Sequence, residues 1–368
     1  MADGDQIQKS FLRPRAAVIN GRFLAKPVGG VPRVGVELLR ALSEELANAP
    51  PKPQLRVATP PGVSLTALGA EHAGRRTLGF AGRLGEQLIM PLLYPGATVI
   101  SFCNATPMLA AHSVVWIHDA HVFDAPETYP RAYRLWHRTM LGAAKLRRFQ
   151  VVTVSEFARA RLVRYGVTPE RIRVVYNGGD HILREAEDPA SLDRTGLRQE
   201  PFVLLVGSPA RHKNVPFALD ALLPGATRYR IAVLGLAQAG PYRDAGELTR
   251  HPRVVVLPKV SDAELRALYR ASKVVVSPSM CEGFGLYAAE AMFADGGALV
   301  LSKRGALPEV GGEAALYFDP TDANALRCAV DAALQPLTAA RLQEAAKRQR
   351  EKFRWRRAAR ELIEHYLR

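Results

Sequence analysis

The sequence predicts an α/β fold of two Rossmann-like domains, from its length, an alternation of short β-branched runs with helical patterns, and one polar break near the middle. At 368 residues the chain is long for one core and comfortable for two. Apolar runs recur at 16–19, 55–58, 98–101, 114–117, 151–154 and 172–176, then at 202–206, 231–234, 254–257, 273–277 and 298–301. With helical patterns between them, these runs read as parallel sheets covered on both faces. The break lies at 177–200, where Asn177-Gly178-Gly179-Asp180, several acids and Pro189 read as an interdomain linker. The predicted domains are therefore 12–184 and 185–352, with a last helix at about 353–368 packing back on the first.

Composition narrows the class. Hydrophobic residues at 48% and charged residues at 23% describe a globular enzyme rather than a disordered or fibrous chain. No run approaches the roughly 18 apolar residues that cross a bilayer, and residues 1–10 are polar with two aspartates, so the sequence predicts a cytoplasmic chain. Cys103, Cys281 and Cys328 are odd in number and show no paired spacing, which points to reduced thiols. A formal charge of +15 and a pI near 10.0 ask for an anionic partner: nucleic acid, a membrane surface or a phosphorylated substrate. Between 131 and 169 stand nine basic residues (Arg131, Arg134, Arg138, Lys145, Arg147, Arg148, Arg159, Arg161, Arg164) against one acid, Glu156. Interleaved with Tyr133, Trp136, Met140, Leu141 and Leu146, they suggest amphipathic helices, read either as a solvated face or as a face attracted to membrane.

The strongest motif is Ser277-Pro278-Ser279-Met280-Cys281-Glu282-Gly283-Phe284-Gly285-Leu286-Tyr287, continuing through Glu290 to Met292. An apolar strand ends at Ser277, a glycine turn follows, and strong helix formers begin at Leu286. Backbone N–H groups of Phe284, Gly285 and Leu286 would face the loop and, with the helix dipole, form a site for a diphosphate or its sugar. Glu282 and Glu290 would lie up to about 12 Å apart if helical throughout, one carboxylate for each end of a sugar-diphosphate-ribose unit.

These residues resemble the retaining GT-B glycosyltransferases of family 4, whose hallmark is a glutamate, seven residues and a second glutamate around Glu-Gly-Phe-Gly. The resemblance extends through Leu307-Pro308-Glu309-Val310-Gly311-Gly312, Ser261-Asp262, Ile19-Asn20-Gly21-Arg22, Gly29-Gly30-Val31-Pro32-Arg33 and His118-Asp119, and covers nearly the whole chain. It implies a donor site in the cleft between two Rossmann-like domains, with Glu282 on donor-sugar hydroxyls and Glu290 on the ribose. Lys213, in Gly207-Ser208-Pro209-Ala210-Arg211-His212-Lys213-Asn214, matches the family lysine that meets the donor phosphate, where its charge would stabilise the departing diphosphate. The family arginine after the glycine is replaced by Ser208, leaving Arg211 as its candidate substitute or as a surface charge. His118, at a strand's carboxyl end, matches a histidine that reaches the donor sugar, and Asp119 orients its loop. Gly29 and Gly30, before a helix expected near Val34, would let backbone amides approach the donor. His121 and Asp124 are candidate acceptor contacts. Tyr287 stands where the family commonly has proline, and Asp295-Gly296-Gly297-Ala298-Leu299 replaces its Gly-x-Pro-Val.

Nothing in the sequence calls for a metal. The one Asp-x-Asp, Asp3-Gly4-Asp5, follows no strand, and no Gly-x-Ser-x-Gly elbow occurs. The expected activity is retaining, metal-independent transfer of a hexose, mannose or a related sugar, to a glycan or lipid-linked acceptor. GDP-mannose is the favoured donor, because the first domain resembles bacterial polysaccharide mannosyl- and rhamnosyltransferases, and UDP donors stay open. Expected partners are a nucleotide sugar, the acceptor and an anionic membrane surface at the inner face of the cell membrane, without nucleic acid, which would need a reading motif. The alternatives are a sugar-nucleotide epimerase of the same architecture and, from pI alone, a nucleic-acid-binding protein.

Overall fold

The computed structural model describes residues 16–26, 29–47, 55–78, 82–225, 228–236 and 248–367. Asp3-Gly4-Asp5 lies outside them. The chain divides into two compact units, residues 1–177 with 355–368, and residues 178–354. Both are parallel sheets flanked by helices.

In the first unit seven strands run in the order β3-β2-β1-β4-β5-β6-β7: β1 (Ala17–Asn20), β2 (Leu55–Thr59), β3 (Arg75–Leu78), β4 (Thr98–Ser101), β5 (His112–Trp116), β6 (Gln150–Thr153) and β7 (Ile172–Val174). In the second, six run β10-β9-β8-β11-β12-β13: β8 (Phe202–Val206), β9 (Arg230–Leu234), β10 (Val254–Val256), β11 (Val274–Ser277), β12 (Ala298–Ser302) and β13 (Ala315–Phe318). Every pairing is parallel. Each order reverses direction once, between β1 and β4 and between β8 and β11, and such a reversal opens a crevice at the strands' carboxyl ends. Central strands such as β8 and β11 are buried on both faces, because Val203, Leu205, Val274 and Val276 pack against Ala218, Leu219 and Leu222 of the Val215–Leu222 helix or its neighbours.

Four expectations need correction. Strands β3 and β13 were not foreseen: β3 reads Arg-Arg-Thr-Leu, and both are four-residue edge strands with a single neighbour. The helix after Gly29 begins at Gly30, four residues before Val34, because Gly29 O already accepts from Arg33 N at 2.8 Å. Residues 177–200 are no extended linker. The division falls at 177/178 because Gly179 packs so tightly that a Cβ there would sit 2.6 Å from the Ala289 carbonyl carbon, and the following Asp180–Leu183 turn buries His181. Met140, expected to be available to a membrane alongside Trp136, is buried, and the large exposed apolar side chains of the Arg131–Leu146 helix are Leu135 and Leu146.

The last helix, Trp355–Tyr366, belongs to the first unit, where it packs on Gly30–Ala47. Glu45 there receives Arg360 Nε at 2.8 Å and also Arg356. Burial raises the Glu45 carboxyl, and the two guanidiniums outweigh it to leave the group below its usual range.

Candidate active site

The reversal point of the second sheet gathers Lys213, Glu282 and the start of the Leu286–Phe293 helix. After β8 the chain turns through Arg211–Lys213, and after β11 it extends as Pro278, Ser279, Met280, with Met280 N donating to His212 O at 2.7 Å. That bond draws the two loops together and sets Lys213 Nζ 2.5 Å from Glu282 Oε1. The same oxygen accepts from Ser279 Oγ at 2.7 Å and from the Tyr287 hydroxyl at 3.3 Å. Tyr287 is held in turn by Ser277 Oγ at 2.5 Å, and Lys213 Nζ lies 5.7 Å from the centre of its ring. Three donors thus converge on Oε1, while Oε2 accepts no hydrogen bond among the described residues and keeps its lone pairs for a ligand.

Burial pushes the Glu282 carboxyl up, but the Lys213 charge and hydrogen bond, helped by Ser279, outweigh it and hold the group below the usual carboxylate range. Burial and the Glu282 charge raise Tyr287 well above its ordinary value, so its hydroxyl stays a donor. The backbone of Glu282 is braced by Gly305 and Ala306: Ala306 N donates to Glu282 O at 2.9 Å, and Gly305, at φ +66°, comes so close that a Cβ would lie 2.6 Å from Glu282 N.

Gly285, at φ +90°, turns the loop into the Leu286–Phe293 helix. The helix does not reach back to Glu282, so the helical rise between the two glutamates covers only Leu286 to Glu290. Of its first-turn amides Ala288 N donates to the Gly285 carbonyl at 2.9 Å, while those of Leu286 and Tyr287 have no carbonyl of the preceding turn to bond and carry the positive end of the dipole. Phe284 is buried, edge-on to Phe353 at 5.5 Å. Glu290 lies in a second cluster, buried, with Tyr269 OH donating to Oε2 at 2.9 Å and His181 Nε2 3.1 Å from Oε1. Arg211 is exposed beside Lys213.

Residues placed in the first unit are His118, Gly29 and Gly30. His118 follows β5, is buried, and has Nε2 2.7 Å from Phe102 O, so Nε2 bears the proton and Nδ1 is the ring atom left to accept. Burial lowers its pKa and keeps it neutral against the opposing Phe102 bond and Asp119. Its amide donates to Asn104 Oδ1 at 2.8 Å. Asp119 Oδ1 accepts from His121 N at 3.0 Å, the local bond expected of it. His121 Nδ1 is 2.9 Å from Tyr129 OH, and Asp124 is taken up by Arg161 and by Tyr165 OH at 2.6 Å. Gly29 and Gly30 are exposed at a helix N-terminus, and a Cβ at either would meet nothing within 4 Å, so internal packing does not require glycine there.

The sequence reading missed Ser279, Tyr287, Tyr269 and His181 as parts of these clusters. The period-2 spacing of Ser277 and Ser279, which puts both hydroxyls on one side of an extended chain, was the available signal. Among the described residues no group of three or more His, Cys, Asp or Glu is placed to hold a metal ion.

Residues 200–336 match the family described as Glycosyl transferases group 1, and residues 28–181 match Glycosyltransferase Family 4. The chain is similar to O-antigen chain mannosyltransferase B of Escherichia coli, 32% identical over 62% of this chain and 63% of that protein. It is also similar to D-inositol 3-phosphate glycosyltransferase of Mycobacterium tuberculosis, 31% identical over 55% of this chain and 44% of that one. It therefore spans about three fifths and under one half of these two relatives. Among solved structures, sucrose-phosphate synthase of Thermosynechococcus elongatus has a TM-score of 0.72 at 20% identity, over 95% of this chain and 97% of that one. HepE of Anabaena, solved with UDP and glucose, has a TM-score of 0.71 at 18% identity, over 95% and 98%. The fold is that of these GT-B structures, and both halves of the chain match glycosyltransferase family models. The chain belongs to glycosyltransferase family 4.

Proposed function

We propose that this chain is a retaining, metal-independent hexosyltransferase that moves mannose or a related sugar from a nucleoside diphosphate, GDP-mannose foremost, to a glycan or lipid-linked acceptor. The observation that carries this reading is the Lys213–Glu282 pair at the reversal point of the second sheet. Glu282 Oε2 accepts a donor-sugar hydroxyl, while Lys213 and the first-turn amides of Leu286–Phe293 take the diphosphate as its charge grows. Glu290 takes the ribose. Because Lys213 compensates the Glu282 charge, the carboxylate is a weak base, which suits hydroxyl binding better than nucleophilic attack. In the front-face step the sugar–phosphate C–O bond breaks with its electron pair going to the diphosphate. The acceptor oxygen bonds the anomeric carbon on the same face, and its proton passes to the departing phosphate oxygen. The mannosyl donor is favoured by the name of the Escherichia coli relative.

Among the described residues no helix is long and apolar enough to cross a membrane. We place the protein in the cytoplasm, peripheral at the inner face of the cell membrane. Leu84 and Leu92, each 77% exposed, and Leu135 stand on the same unit as Arg131 and Arg138, and Arg83 covers the Trp136 ring at 4.8 Å. The test of the activity is a panel of nucleotide sugars scored by diphosphate release, with and without EDTA, and product anomeric configuration by NMR. Release from a mannosyl donor, EDTA resistance and a retained anomer are expected. An inverted product, or activity lost in EDTA and restored by magnesium or manganese, refutes the mechanism.

A further inference from the structure

The first sheet has its own reversal point, between the carboxyl ends of β1 and β4, and a buried polar cluster fills it. Asn20, the last residue of β1, donates through Nδ2 to Glu86 Oε1 at 2.6 Å and to Ser101 Oγ, at the end of β4, at 3.2 Å. Glu86 arrives from the helical turn Gly85–Ile89 and is only 2% exposed. Its Oε2 lies 2.9 Å from Arg22 Nε as an ion pair, yet receives no hydrogen bond of acceptable angle among the described residues. Glu86, Asn20, Arg22, Ser101, Cys103 and Ala105 line a void of about 10 Å³, room for one oxygen-sized group. A buried carboxylate with an unmet acceptor is costly, and a buried ion pair is not by itself a source of stability. The charges select the occupant. Glu86 opposes an anion and Arg22 with Lys26 opposes a cation, while burial pushes the Cys103 thiol up to about 12 and keeps it neutral. A neutral hydroxyl, donating to Oε2 and accepting from Arg22, satisfies every group.

We propose that this pocket is a subsite for a hydroxyl of a saccharide acceptor, with Glu86 Oε2 as the acceptor atom and Asn20 and Arg22 as its positioning partners. The proposal rests on the glycosyltransferase reading, because it assigns the acceptor side of that reaction. Two full-length variants test it. Glu86→Gln replaces one acceptor oxygen by a donor nitrogen. Ala105→Val fills the void while leaving Glu86, Asn20 and Arg22 in place. Methyl α-D-mannopyranoside is titrated by saturation-transfer NMR, with nucleotide-sugar hydrolysis in water measured in parallel and thermal unfolding as a control on folding. Binding of the mannoside is expected to weaken about tenfold in both variants, the loss of one charge-assisted hydrogen bond, with hydrolysis unchanged. Mannoside binding that is absent in the wild type, or equal in all three proteins with only the melting temperature lowered, overturns the proposal and leaves a structural ion pair with a bound water. If the wild type hydrolyses no sugar nucleotide, the enzymatic reading fails separately, and the mannoside titration still decides the subsite.

Discussion

Replacing Lys213 by methionine keeps the length of the side chain and removes its charge from the oxygen that three donors share. The ammonium sits 2.5 Å from Glu282 Oε1, with side-chain exposures of 21% and 12%, so the bond is charge-assisted and little screened. Such a bond contributes about 1.5–3 kcal/mol, equivalent to roughly one to two pKa units on the carboxyl. In the wild type burial raises the Glu282 carboxyl and Lys213 outweighs it, so the folded value lies below the unfolded one. A depressed carboxyl gives stability that is present above the usual carboxylate range and is lost as pH falls through the folded value. In Lys213→Met burial is opposed only by the Ser279 hydrogen bond and the His212 charge, and the acid limb of the kcat/KM profile for donor hydrolysis moves to higher pH by about one to two units. At neutral pH, losing the cation at the leaving diphosphate lowers kcat by about a hundredfold, with a smaller rise in donor KM. An acid limb that stays in place would mean Lys213 does not set the charge of Glu282. An unchanged kcat would remove Lys213 from the leaving group.

Tyr287→Phe deletes a long bond to Glu282 and leaves Ser277 Oγ only its 3.3 Å bond to Ser279, so kcat should fall about three- to tenfold while donor Kd stays within error; a loss confined to Kd would make Tyr287 a donor contact instead. Glu290→Ala should weaken donor binding about tenfold or more by calorimetry, and should cost about 1–3 kcal/mol of stability by leaving the Tyr269 hydroxyl unpaired; a folded variant with unchanged Kd puts the ribose elsewhere. Arg131→Glu with Arg138→Glu should reduce sedimentation with anionic vesicles, each arginine near such a surface contributing about 1 kcal/mol, and added salt should do the same to the wild type. Equal binding to neutral and anionic vesicles would reduce the basic helix to a solvated face.

The central strands were legible because burial on both faces leaves them as β-branched runs, and eleven such runs set out two parallel sheets. The edges were not legible. Strand β3 carries two arginines in four residues and is a strand only through its pairing with β2, which composition does not encode. The polarity of 177–200 reads as an interdomain linker, yet His181 within it is buried on Glu290, and a polar residue's partner far along the chain leaves no local trace. The partners of the basic stripe left no trace for the same reason: Arg161 pairs with Asp124, Arg159 with Glu156 and Arg147 with the Ala110 carbonyl. In the site, the motif gave Lys213 and Glu282 by spacing, whereas Tyr287 registered only as a departure from a pattern. Its role as a donor to Glu282 depends on how the first helical turn folds back over Ser277.

A carboxylate offers two oxygens, and Glu282 and Glu86 use them in the same way. Each stands at the reversal point of its own sheet, with one oxygen fixed by uncharged or cationic donors: Lys213, Ser279 and Tyr287 on Glu282, Asn20 on Glu86. The other oxygen receives no hydrogen bond among the described residues. Fixing one oxygen removes the rotamer freedom that a ligand would otherwise have to freeze. The result is an acceptor of fixed direction, which distinguishes a hydroxyl from a hydrogen at one carbon of a sugar ring, since an analogue lacking the hydroxyl leaves a buried oxygen unpaired. On the proposed reading Glu282 takes a hydroxyl of the donor and Glu86 one of the acceptor, each at the reversal point of its own sheet.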